Sequence, residues 1–163
     1  MEHASDPVQW RTIRFAVDAA ESHPWWEYPV RARFTHEETG TVLQVEGYWD
    51  GEKRWIVPFA PPLSGRWEYS TSSADPGLDN VTGGIEVRAP TAPEVDANPN
   101  YRGMLAVSED GRTFEHADGT RFFLLADTLW AGNTLRCGLG EEGQSDGPFH
   151  RYLADRKAKG FTT

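Results

Sequence analysis

Cysteine is almost absent from this chain of 163 residues: Cys137 stands alone. An internal disulfide is therefore excluded, and so is any zinc site built on cysteines. Long apolar runs are also missing, and none approaches the roughly 20 residues that a bilayer-spanning helix needs. Positive charge is scarce, with 16 Lys and Arg against 25 Asp and Glu and a formal net charge of −9. Nucleic acid and anionic membranes are poor partners for such a surface. The first residues, Met1-Glu-His-Ala-Ser-Asp-Pro7, lack the basic and apolar segments of an export signal, so a cytoplasmic location is expected. The histidines fall at positions 3, 23, 36, 116 and 150, none paired at metal-ligand spacing. No metal and no other cofactor is expected.

Aromatic residues are abundant instead, at 12% with seven Trp. Twelve of the twenty lie between Trp10 and Tyr69, which argues for an ordered, β-rich first part. Ile13, Phe15 and Val17 alternate with polar residues, and so do Tyr28, Val30, Ala32 and Phe34. Leu43, Val45, Gly47 and Trp49 read as one face of a further strand, closed by the hairpin signal Asp50-Gly51. Trp55, Val57 and Phe59 form the next, where Pro58 implies an edge or a bulge. Trp67 with Tyr69, then Ile85 with Val87, complete about seven short strands in about 80 residues, the pattern of an immunoglobulin-like antiparallel β-sandwich. Phe15, Val30, Val45, Val57 and Trp67 are its expected core. The Cys pair and intervening Trp of antibody domains are lacking.

Residues 89 to 100 hold three prolines and almost nothing apolar, and read as a semi-extended linker. Three segments are thus expected: a sandwich over 8–89, a Pro-rich linker over 90–102, and a second region over 103–163. In that region Asp110-Gly111 and Asp118-Gly119 mark turns between short strands. Arg121-Phe-Phe-Leu-Leu-Ala126 is a continuous apolar run of the kind buried on both faces in parallel sheets. It ends in Asp127, Thr128 and Trp130. In parallel sheets the chemistry gathers at the carboxyl ends of strands. There an Asp can accept hydroxyl hydrogen bonds and a Trp can stack on a sugar ring. Equally, the Asp can tie the loop to backbone N–H groups, with the Trp packed under it. A helix is expected from Pro148, capped by Asp146 or Gly147, with Phe149, Tyr152 and Leu153 on one face and Gly160 as its stop. Phe161 would then open a second strand, and one strand–helix–strand unit cannot enclose a core by itself.

Other motifs read more plainly. Trp25, Trp26, Trp49, Trp55 and Trp67 offer a sugar-stacking platform, but aromatics of this kind more often fill a small β core. Gly138-Leu-Gly-Glu-Glu-Gly143 has the letters of a dinucleotide fingerprint, yet it does not follow its strand directly, and Glu141 and Glu142 would repel a phosphate. Asn80-Val-Thr82 fits a glycan acceptor but also simple turn chemistry.

Several stretches together resemble the N-terminal region of apiosidase-like glycoside hydrolases. In the sandwich they are Gly47-Tyr-Trp-Asp-Gly51, Pro58-Phe-Ala-Pro61 and Gly65-Arg-Trp-Glu-Tyr-Ser-Thr71. Beyond it they are Gly103-Met-Leu-Ala-Val107, Asp118-Gly-Thr-Arg-Phe-Phe123, Asp127-Thr-Leu-Trp130 and Tyr152-Leu-Ala-Asp-Arg-Lys-Ala-Lys-Gly-Phe161. The resemblance implies an immunoglobulin-like sandwich followed by the first βα unit of a (β/α)8 barrel. It implies that Asp127, Thr128 and Trp130 line a sugar pocket, with a carbohydrate as substrate and the remainder of the barrel as partner. The family's catalytic carboxylates lie on later barrel strands, so no catalytic residue carries over to this sequence. Such a barrel needs about 250 residues, and the expectation is a truncated piece, inactive alone, of an enzyme acting on plant or microbial polysaccharide. The rival expectation is a non-catalytic sandwich that binds carbohydrate or protein.

Overall fold

In the computed structural model the chain divides into two compact units, residues 1–104 and 105–163. The structure describes residues 6–21, 28–130, 132, 134, 137, 138 and 147–162.

Among the described residues the first unit contains seven strands: β1 (Ile13–Asp18), β2 (Arg31–His36), β3 (Val42–Glu46), β4 (Tyr48–Trp49), β5 (Arg54–Phe59), β6 (Gly65–Ser72) and β7 (Thr82–Val87). They form two antiparallel sheets, one ordered β1-β5-β4 and the other β3-β2-β6-β7. This is the B-E-D and C′-C-F-G arrangement of an immunoglobulin-like sandwich. Ahead of β1, one parallel bridge joins Val8 to Arg88, beside the end of β7.

Period-2 alternation delivers the core. Phe15, Phe34, Phe59 and Trp67 are fully buried, together with Val30 and Val57. Phe34 and Phe59 stack across the two sheets, with ring centroids 3.8 Å apart and planes 4° from parallel. Phe59 meets Trp67 edge-on at 5.2 Å, and the Trp67 indole N–H donates to the Leu63 carbonyl, so this large side chain is buried without an orphaned donor. Val45 is only half-buried, because β3 is the outer strand of its sheet.

The stretch expected as a single strand through Leu43, Val45, Gly47 and Trp49 is in fact two. The chain leaves the four-stranded sheet after Glu46 and joins the three-stranded one at Tyr48. Gly47 makes the crossing possible. Its N–H donates to the Val30 carbonyl, and a Cβ there would lie 2.5 Å from Val30 Cγ1 and 3.1 Å from the Ile56 carbonyl oxygen. Pro58 sits on β5, the middle strand, but β4 pairs only with Trp55 and Ile56. At Pro58 the strand therefore has a partner on one side, Arg14, and its missing N–H costs no ladder bond on the other.

The Pro-rich stretch also differs from expectation. Instead of running extended, it forms a short helix α1 (Ala92–Ala97) and a 3-10 turn, Pro99–Arg102. Thr91 caps α1, and Glu94 reaches back to accept the Thr91 N–H at 2.8 Å. Proline at the first turn costs nothing, since that N–H lacks a helical partner anyway. Glu94 also binds Arg88, which holds Asp6 in turn; Arg88 and Thr91 together lower the Glu94 pKa to about 2.

The second unit opens with a three-stranded antiparallel sheet of β8 (Leu105–Val107), β9 (Phe114–His116) and β10 (Arg121–Phe122). The turns at Asp110-Gly111 and Asp118-Gly119 join them, with both glycines at positive φ. A helix, α2 (Pro148–Ala158), follows with Gly147 as its N-cap and Pro148 in its first turn. Gly160, at φ +81°, ends it.

Candidate functional site

The expected parallel strand over 121–126 is shorter and differently paired than its apolar run implies. Only Arg121 and Phe122 are strand, and they pair antiparallel with β9. Phe123 is 75% exposed and Leu124 49% exposed. An apolar run predicts burial only when both faces have cover, and among the described residues of this unit no such cover is present. The chain returning from α2 nevertheless lies along this segment. Thr162 donates its N–H to the Leu125 carbonyl at 2.9 Å and its hydroxyl to the Phe123 carbonyl at 2.8 Å. The Leu125 N–H donates to the Thr162 hydroxyl oxygen at 2.9 Å.

Asp127 follows directly. One of its oxygens accepts the Thr128 N–H at 2.8 Å, and the other pairs with Arg156 Nη1 of α2 at 3.1 Å. The Tyr152 hydroxyl also donates to this carboxylate. Burial raises the Tyr152 pKa, and the hydrogen bond to the Asp127 anion raises it further, so the phenol stays a donor. Tyr152 and Arg156 sit one turn apart on α2, which brings both to the same side of the helix. The Arg156 guanidinium lies 5.2 Å from the Tyr152 ring centroid and 5.0 Å from that of Phe161. It also touches Asp155, which in turn holds Lys159.

The arrangement fixes the Asp127 carboxylate with three donors, which leaves about one of its four lone-pair sites free. Such a group is a rigid hydrogen-bond acceptor. Both readings of Asp127 thus have structural counterparts: it binds its own loop, and it has acceptor capacity left. Trp130 is 93% exposed and packs under nothing among the described residues. Thr128 is exposed. Sequence reasoning singled out Asp127, Thr128 and Trp130 but missed Arg156 and Tyr152 as their support. The four-residue spacing of a phenol and a guanidinium on the next helix was the available signal.

The other flagged residues fall elsewhere. Trp55 and Trp67 belong to the sandwich core, whereas Trp49 is 43% exposed and donates its indole N–H to the Glu52 carbonyl. Trp25 and Trp26 lie outside the described residues, as do His3, His23 and all of the Gly138–Gly143 motif after Gly138. Asn80 occupies a turn at φ +53° and donates its side-chain amide to Asp79. His36 is buried between Thr39 and the Ser64 carbonyl, which uses both ring nitrogens structurally. Among the described residues no group of three His, Cys, Asp or Glu side chains is placed to hold a metal ion.

Comparison with known proteins matches two parts of the chain to family models. Residues 7–74 match a domain of unknown function, DUF5060, and residues 108–163 match the apiosidase-like catalytic domain. A solved structure from Bacteroides vulgatus ATCC 8482, described as a "putative glycoside hydrolase", superimposes with a TM-score of 0.61 at 25% sequence identity. The match covers 74% of this chain and 22% of that one, so this chain spans about a fifth of its structural relative. No match was found among curated proteins.

Proposed function

We propose that this chain supplies the accessory sandwich and the first βα unit of an apiosidase-like glycoside hydrolase with a (β/α)8 barrel. That enzyme hydrolyses a glycosidic bond in a plant or microbial polysaccharide. The sandwich corresponds to residues 8–89, joined through 90–102 to barrel residues 103–163. Cleavage uses a carboxylate pair from later barrel strands. Asp127, Thr128 and Trp130 bind substrate: Asp127 accepts sugar hydroxyls, Thr128 adds a hydroxyl, and Trp130 stacks on the ring. One observation carries this reading. Trp130 stands 93% exposed three residues beyond a carboxylate that Arg156 and Tyr152 hold rigid. An indole left in water beside a fixed acceptor has the chemistry of a sugar subsite.

The test compares residues 1–163 with the product of the complete gene, including any sequence beyond codon 163. The chain alone is expected to be inactive on polysaccharide. In the complete enzyme Asp127→Ala and Trp130→Ala should each weaken kcat/KM by about 1–3 kcal/mol, the cost of an unpaired polar group or a lost contact, with the fold intact. Wild-type kinetics in both variants would put the pocket elsewhere. Robust activity from 1–163 would demand a carboxylate pair within this chain.

The second reading is a non-catalytic sandwich that binds carbohydrate or protein, for which the closed core of the first unit is a self-contained scaffold. Polysaccharide binding by the chain without hydrolysis by the complete gene product would select it.

A further inference from the structure

The outer face of the four-stranded sheet carries a depression of about 480 Å³, lined by Arg33 and Thr35 of β2, Arg66, Glu68 and Ser70 of β6, and Thr82 to Gly84 of β7. Its shape follows from the register. Ser70 lies between Arg33 and Thr82, and Glu68 lies between Thr35 and Gly84. Small residues on β7 leave the floor low. The Arg66 side chain fills part of that space, since a Cβ on Gly84 would lie 2.5 Å from Arg66 Nη2. Arg66 therefore runs along the sheet and sets its guanidinium over β7, while Arg33 stands on β2, the strand on the other side of β6.

Arg31, Arg54, Arg88 and Arg156 all have carboxylate partners. Arg33 and Arg66, like several other arginines, form no ion pair among the described residues, but these two line one concavity. Both are exposed. Two guanidiniums against the single carboxylate of Glu68 leave the concavity cationic, and a planar anion suits arginine's paired set of donors. Glu68 and three hydroxyls (Thr35, Ser70 and Thr82) share the floor. A carboxylate at Glu68 disfavours a compact dianion such as phosphate but accepts hydrogen bonds from sugar hydroxyls.

We propose that this trough binds the carboxylate of an acidic sugar, a uronate residue within a glycan. Arg33 and Arg66 hold the carboxylate, and Glu68, Ser70, Thr35 and Thr82 meet the ring hydroxyls. The sandwich then anchors the protein on acidic polysaccharide. The carboxylate chemistry rests on the arginines alone, whereas the choice of a sugar as its carrier rests on the glycosidase reading. Because every lining residue belongs to the first unit, binding can be read without any catalysis.

The test is calorimetric and NMR titration of residues 1–163 with an oligogalacturonate, a neutral galacto-oligosaccharide and inorganic phosphate. The oligogalacturonate is expected to bind, more weakly as salt rises, and the neutral sugar and phosphate at least tenfold more weakly. Arg33→Gln and Arg66→Gln should each weaken binding about tenfold, with an unchanged melting temperature as the control for folding. Gly84→Ser, which displaces the Arg66 guanidinium, should do the same without removing a charge. Failure of the oligogalacturonate to bind, or unchanged binding in both arginine variants, would overturn the proposal. Equal binding of phosphate would reject the sugar and leave a simple anion patch. Glycosidase activity or its loss in the complete gene product would not alter any of these readouts.

Discussion

The two units solve the burial problem to different degrees. In the sandwich, β1, β2, β5, β6 and β7 direct alternate side chains into one enclosed layer, and Phe15, Phe34, Val57 and Trp67 are wholly out of solvent. In residues 105–163, every buried side chain among those described is polar or glycine, while Val107, Phe123, Leu124 and Trp130 are exposed. Both regions have comparable apolar content in their strands. What separates them is cover: two twisted sheets close on each other, whereas one small sheet and one helix leave an apolar run in water. The sandwich is complete as a core. The second region presents surfaces of the kind that further strands and helices cover in a larger domain.

The sharpest way to break this contrast is native-state hydrogen exchange. Amides of β2, β5 and β6 should exchange only through global opening, at several kcal/mol, and those of 121–130 through near-zero local opening. Equal protection in both units would mean that residues 105–163 are as well packed as the sandwich, contrary to their exposure.

Mutation sharpens the same point. Phe34→Ala removes the stacked partner of Phe59 and should cost about 3–5 kcal/mol in chemical denaturation of the sandwich. Phe123→Ala should change stability by no more than about 0.5 kcal/mol, as expected of an exposed position. A large effect at Phe123 would reveal cover that the described structure does not contain.

The crossing at Gly47 should come next. Gly47→Val drives a branched side chain against Val30 and the Ile56 carbonyl, at a cost of about 1–3 kcal/mol for overpacking. The same substitution at Gly111, in an open hairpin turn with nothing within 4 Å, meets only the strain of its positive φ. If Gly47→Val melts at the wild-type temperature, the sheet switch does not depend on that close approach.

An effect of the same order is expected at Asp75, a carboxylate that is only 1% exposed. Burial alone would raise its pKa, but N–H donors from Ala20, Gly77, Glu21 and Leu78 outweigh burial and hold it below the ordinary value of 3.8. The Ala20 bond, at 2.9 Å, ties the β6–β7 loop to the end of β1, and the Gly77 bond, at 2.7 Å, closes the loop on itself. Asp75→Ala should cost about 1–3 kcal/mol, the loss of acceptors for buried donors. Since the folded pKa is depressed, this contribution is full above pH 3.8 and disappears as pH falls through the lower folded value. The acid limb of a stability–pH curve should therefore flatten in the variant; an unchanged limb would assign acid sensitivity to other carboxylates.

Much of this architecture is legible in the chain itself, wherever a local rule operates. Alternation marks β1, β2, β5 and β6. The glycine turns at 51, 111 and 119 place the hairpins, and Pro148 with Gly160 brackets α2. Asp127 and Trp130 stand out because a carboxylate and an indole end an apolar run. These signals depend on backbone dihedrals and side-chain periodicity, which neighbouring residues determine. Tertiary contacts decided the rest. Whether residues 42–49 stay in one sheet depends on Val30 and Ile56, which approach Gly47 from distant parts of the sequence. The proline-rich stretch becomes helical because Glu94 can bind both Thr91 and Arg88. The support of Asp127 comes from Arg156 across a loop and a helix, and the trough exists only where β2, β6 and β7 lie side by side. Sequence patterning sets which residues are apolar and where the chain can turn. Which distant backbone or charge each one meets is a property of three-dimensional packing, and that packing sets both the support of Asp127 and the pairing of the arginines.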